Sequence, residues 1–167
     1  METAKNILAA LFTELDGRIA EINEQRREDG ALPLSKAKVQ LLGQMSLLSN
    51  ERASAILHLA QTGDLDAFLT MENLVKKELT IALKKYGLIY DEDSPLIWIP
   101  PQSKFSVLFD FKRIKVEAID PESALVSKAV KAPDKNLQLI REAIAADSFP
   151  HLVDRILANG GSLEDFI

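Results

Sequence analysis

The chain has 167 residues, a formal net charge of −5, no cysteine and two histidines. That length fits a single domain, a hydrophobic content of 47% excludes wholesale disorder, and the lack of thiols excludes disulfides and thiolate metal centres. The acidic balance makes the chain a poor general binder of nucleic acid or anionic membrane. No apolar run reaches the about 18–20 residues of a bilayer span, and Met1-Glu2-Thr3-Ala4-Lys5 does not open a signal peptide, so a cytoplasmic location is expected.

The first stretch carries Ile7, Leu8, Leu11, Phe12, Leu15, Ile19 and Ile22 at spacings of three and four. This is the stripe of an amphipathic helix, with Thr3 as its N-cap and Gly30 as its stop. A second helix is expected from about Ser35 to Leu48, burying Val39, Leu42, Met45 and Leu47 or Leu48. A third follows Ser49-Asn50, either of which can cap it, and packs Ala53, Ile56, Leu57 and Ala60. Thr62-Gly63 then marks a turn, and Asp64 to Leu69 alternates as a strand does. Met71 to Tyr86 returns to helical spacing and stops at Gly87. Strands are expected at Leu96–Ile99, Phe105–Phe111 and Ile114–Ile119, the last two as a hairpin turning at Lys112-Arg113. Asp120-Pro121 starts the C-terminal helices, expected at Ser123 to about Lys131, Asp134–Ala146 and Phe149–Ala158. The order is that of an α+β domain with about four or five strands, not of a doubly wound sheet.

Thr62-Gly63-Asp64-Leu65-Asp66 is the most chemical segment. On an extended strand Asp64 and Asp66 share one side, roughly 6–7 Å apart, with Leu65 turned to the core. Two carboxylates so placed suit a hard divalent cation such as Mg²⁺. A solvated strand edge is the alternative.

The segment has a context. A helix precedes it, a long helix follows it, and a hairpin then leads into Asp120-Pro121-Glu122-Ser123-Ala124-Leu125-Val126-Ser127-Lys128. In this the chain resembles the minimal nucleotidyltransferases of the DNA polymerase beta superfamily, more narrowly the AbiEii-type, toxin–antitoxin-associated nucleotidyltransferase-like proteins, over about Ser49 to Ile144. The resemblance implies a small mixed sheet with N-terminal and C-terminal helices. It divides the single domain into a helical segment 1–48, a nucleotidyltransferase-like core 49–146 and a C-terminal helix 147–167. It also implies Mg²⁺-dependent transfer of a nucleotidyl group from a nucleoside triphosphate to a hydroxyl. Asp64 and Asp66 would hold the metal, with a third carboxylate on a neighbouring strand, for which Asp110 is the candidate and Glu117 the alternative. Lys128 would meet a phosphate. Where the family starts a helix with Gly-Gly or Gly-Ser, this chain offers Ser49-Asn50 as the nucleotide-binding positions, which adds two side chains where phosphates would approach.

Each assignment has a plainer counterpart. Asp110 can simply flank the Lys112-Arg113 turn. Lys128 can be an exposed helix position beside Lys131 and Lys135. His58 can be a local acid–base group or a residue at the core's border. Trp98 and Tyr90 can stack on a base or belong to the core, and Lys76, Lys77, Lys84 and Lys85 can meet an acidic partner or water. The alternative to an enzyme is a non-catalytic scaffold of the same fold that binds a protein partner.

Overall fold

Helix α1 (Ala4–Glu28) forms where its apolar stripe predicts, in a computed structural model that describes residues 3–167. The Thr3 hydroxyl accepts the Asn6 N–H at 3.1 Å, and Gly30 takes φ +75° beyond the helix end. Leu8, Leu11, Phe12, Leu15 and Ile19 are buried along one side.

The next segment departs from expectation. Instead of one helix from Ser35 to Leu48, it divides into strand β1 (Ala37–Leu41) and the short helix α2 (Gly43–Leu48). Both periods are present in these residues: Ala37, Val39 and Leu41 alternate, while Val39, Leu42 and Met45 recur at helical spacing. The neighbours decide between them. β1 pairs antiparallel with β3 (Ala67–Thr70) and parallel with β6 (Ile114–Ile119), and β5 (Phe105–Asp110) pairs antiparallel with β6. The resulting mixed sheet runs β3-β1-β6-β5. Its second strand in that order therefore comes from within residues 1–48, which are not helical throughout.

The acidic segment departs in a second way. Asp64 to Leu69 is not one strand but two, in different sheets. β2 (Asp64–Leu65) pairs in parallel with β4 (Ile89–Tyr90), and β3 joins the larger sheet. The break at Asp66 is held from the far side: the Ala67 N–H donates to the Ser94 hydroxyl at 3.1 Å, and the Tyr90 hydroxyl donates to the Ala67 carbonyl at 3.0 Å. Tyr90 is thus a core residue. The strand expected at Leu96–Ile99 is absent: a 3-10 turn (Ser94–Leu96) leads into extended chain without a ladder. Pro95, Pro100 and Pro101 remove backbone donors there, and Ile97 and Ile99 pack on the core instead.

The remaining helices lie where the sequence places them. They are α3 (Glu51–Ile56), α4 (Asn73–Lys85), α5 (Pro121–Lys131), α6 (Leu137–Ala146) and α7 (Leu152–Ala158). Their ends differ in places: α3 stops at Ile56 and leaves Ala60 exposed beyond it, and α6 and α7 each begin three residues later than expected. Asp120 caps α5 through the Ser123 N–H at 2.9 Å, and the β5–β6 hairpin closes with Phe111 N–H on the Ile114 carbonyl. α1 and α4 cover the sheet face of Ala37, Val39, Leu41, Ile114 and Val116, forming one core. A second core gathers α3, α5, α6 and α7 around Leu42, Leu47 and Ile119. Each fully buried leucine in these cores contributes about 1.5–3 kcal/mol relative to exposure. The fold is α+β, with helices at both ends of a small mixed sheet. Among the described residues no helix is long and apolar enough to cross a membrane.

Candidate active site

Two backbone pairings converge on Asp66. β2–β4 pairing brings in Asp91, whose N–H donates to the Leu65 carbonyl at 3.0 Å. β1–β3 pairing extends to Leu42, whose N–H donates to the Asp66 carbonyl at 2.8 Å. The next residue, Gly43, opens α2 at φ +55°, and a Cβ there would sit 2.7 Å from Asp66 Oδ2. Only glycine accommodates both that backbone conformation and that approach. Leu65 is fully buried between its acidic neighbours and anchors the segment.

Asp64, Asp66 and Asp91 line a cavity of about 450 Å³ together with Lys128 of α5. Electrostatics within it are frustrated. Burial pushes the Asp66 carboxyl up to about 6, helped by its hydrogen bond with Asp91 and by the charges of Asp91 and Asp64, with Lys128 opposing. Burial also holds the Lys128 ammonium below the usual lysine range, against the pull of Asp66 and with Lys135 adding repulsion. Lys128 is therefore not the exposed surface position that its lysine neighbours suggest. Half-buried like charges of this kind recur where a ligand completes the charge balance.

The other expected site residues lie elsewhere. Asp110 is exposed on the outer strand β5, and its carboxylate takes the Lys36 ammonium at 2.7 Å, which holds it below the usual carboxylate range. It does not reach the cavity, so the acid brought to the pair is Asp91. Glu117 accepts from the Gln40 amide at 3.0 Å on the other side of the sheet's core face and does not line the cavity. Ser49 is 2% exposed and donates to the Ser46 carbonyl, while Asn50 caps α3 by accepting the Ala53 N–H at 2.9 Å. The two belong to a helix junction rather than to the cavity. The helix that starts beside the acidic pair is α2, at Gly43, and Leu42 offers it no capping side chain. The sequence held a signal for this: a glycine directly after an alternating apolar run. Asp91 carried a similar one, standing just past Leu88-Ile89-Tyr90.

His58 lies at the same cavity, on the linker between α3 and β2. Its ring Nδ1 is 3.0 Å from Glu142 Oε2 of α6, and its backbone N–H donates to Glu142 Oε1. Burial works to raise the Glu142 carboxyl, but the bonds from the His58 ring and backbone outweigh it and leave the group below the usual range.

Mg²⁺ favours oxygen donors and commonly takes one or two carboxylates plus substrate phosphates. Asp64 and Asp66 match that donor chemistry, and the Gly43 cradle leaves Asp66 room. Among the described residues no group of three or more His, Asp or Glu side chains is arranged to hold a metal by itself. A larger groove, about 780 Å³, lies between α5 and α7, but two of its acids already have a partner in Arg155, which reaches Glu122 at 3.0 Å and Asp120 at 3.9 Å and bonds the Ser123 hydroxyl at 2.8 Å. No protein-family model, curated protein or solved structure matches the chain.

Proposed function

We propose that this protein is nucleotidyltransferase-like and transfers a nucleotidyl group from a nucleoside triphosphate to a hydroxyl, with Mg²⁺ as its cofactor. The observation that carries this reading is the meeting of Asp64, Asp66 and Lys128 in one open cavity, although Lys128 lies 62 positions beyond Asp66 in the chain (128 − 66). Asp64 and Asp66 are the residues that would hold the metal. Bound there, Mg²⁺ supplies charge neutralisation for the triphosphate. Lys128 brings a point charge to a phosphate oxygen. Gly43 keeps the wall beside Asp66 free of a side chain, and Asp91 crowds Asp66 so that an arriving cation relieves repulsion.

The second reading, a scaffold that binds a protein partner without chemistry, draws on α2. It has a single glycine at its start, followed by Gln44, whose amide donates to the Ala60 carbonyl at 2.8 Å and stands across the cavity's edge. Thermal unfolding with Mg²⁺ and each of the common nucleoside triphosphates separates the two. At 100 times Kd, ligand stabilises by about 2.7 kcal/mol, a rise of about 5–10 °C for a domain of this size. The transferase reading expects that rise in the parent and not in Asp64→Ala. A parent whose midpoint stays fixed for every triphosphate belongs to the scaffold.

A further inference from the structure

His58 stands where two cavities meet. It lines the acidic cavity with Asp64 and Asp66, and also a neighbouring one of about 770 Å³ bounded by Leu48, Leu57 and Leu59. Glu142 grips it twice, at ring Nδ1 and at the backbone N–H. That double contact fixes both the linker and the ring. An ionised carboxylate only accepts hydrogen bonds, so the proton of the neutral ring sits on Nδ1. Nε2 then carries a free lone pair, and the side chain is 95% exposed to solvent. The geometry is that of a carboxylate-oriented imidazole base. Glu142 from α6 is in contact with it, and the charged groups that line the same cavity are Asp64, Asp66, Asp91, Lys128 and Lys135.

We propose that His58, oriented by Glu142, is the general base of this site and removes the proton of the acceptor hydroxyl. The inference rests on the nucleotidyl-transfer reading and adds the residue that serves the acceptor. As the hydroxyl oxygen bonds to the α-phosphorus, its proton passes to His58 Nε2. The bond from that phosphorus to the bridging oxygen breaks, and pyrophosphate leaves with the electron pair. Glu142 stabilises the imidazolium that results and is a positioning residue.

The test uses the full chain with Mg²⁺ and α-labelled nucleoside triphosphates, with water as the acceptor probe, following release of nucleoside monophosphate and pyrophosphate. His58→Asn keeps a donor for Glu142 and loses the base. Its kcat is expected to fall about 100-fold or more, with KM for the nucleotide unchanged. Added imidazole should restore part of the rate to His58→Gly. Glu142→Gln should lose less. A His58→Asn variant with the parent's kcat and pH profile, while Asp66→Asn is inactive, overturns the base and leaves the transferase reading standing. A parent that turns over none of the triphosphates overturns both. Ring ¹⁵N spectra of the parent give a readout without turnover: a neutral His58 protonated on Nε2 instead of Nδ1 overturns the inference by itself.

Discussion

α5 borders two charged clefts, and their charges are arranged in opposite ways. At its N-terminal end Arg155, 14% exposed, reaches Glu122 at 3.0 Å, Asp120 at 3.9 Å, the Ser123 hydroxyl and the Pro101 carbonyl. Acids and guanidinium satisfy one another, and the result ties α7 to the start of α5. Further along, Lys128 faces Asp66, but Asp64 and Asp91 crowd the same carboxylate. Here like charges are pressed together, and their repulsion opposes folding unless something else supplies positive charge. The first cleft is built for stability. The second keeps an unmet electrostatic demand, which is what a binding site for a cation and phosphates requires.

Substitutions put this contrast to experiment. The largest effect is expected for Arg155→Ala, which leaves Glu122 and Asp120 without their cation: a loss of about 3 kcal/mol in denaturant unfolding. A loss close to zero means that the N-terminal cleft of α5 is no tie at all. Gly43→Ala comes next, at about 1–2 kcal/mol, since alanine must adopt φ +55° and displace Asp66 Oδ2. Pairing it with Asp66→Ala in a double-mutant cycle isolates the second contribution, because only the steric part depends on Asp66.

Asp66→Asn has the smallest and most informative effect, because it should stabilise the fold. The folded carboxyl titrates at about 6 against an ordinary 3.8, so the fold holds this proton more tightly than the unfolded chain does. Its contribution to stability is therefore full below 3.8, declines as pH rises and is gone above about 6. At neutral pH the ionised group opposes folding. The shift is worth about 3 kcal/mol at face value, reduced to about 1 kcal/mol because Asp66 is only half-buried and partly screened by water. Asparagine removes the charge, so unfolding curves at pH 7.5 should move to higher denaturant and the difference should vanish near pH 4. Destabilisation at pH 7.5 contradicts a frustrated carboxylate at this position.

Some of this was legible residue by residue. Leu65 between two aspartates fixed which side of the chain faces the core, and Asp120-Pro121 and Gly87 marked helix ends that the structure has. The 35–48 stretch was not legible, because its apolar residues satisfy a helix and a strand-then-helix equally well. Asp110 misled for a local reason. It sits among phenylalanines in the sequence, yet it ends an outer strand where Lys36 can reach it from beside β1. Glu142 gave no signal at all, since its partner His58 lies 84 positions away.

The sequence alone determined that this is an α+β chain, with an acidic pair on an extended segment and a lysine on a C-terminal helix, because period, caps and turns are local properties. Which acid joins the pair, which glycine lies beneath it and which carboxylate holds the histidine were decided only by tertiary structure. Those partners meet through strand pairing and helix docking between distant segments, and local sequence carries no record of such distances.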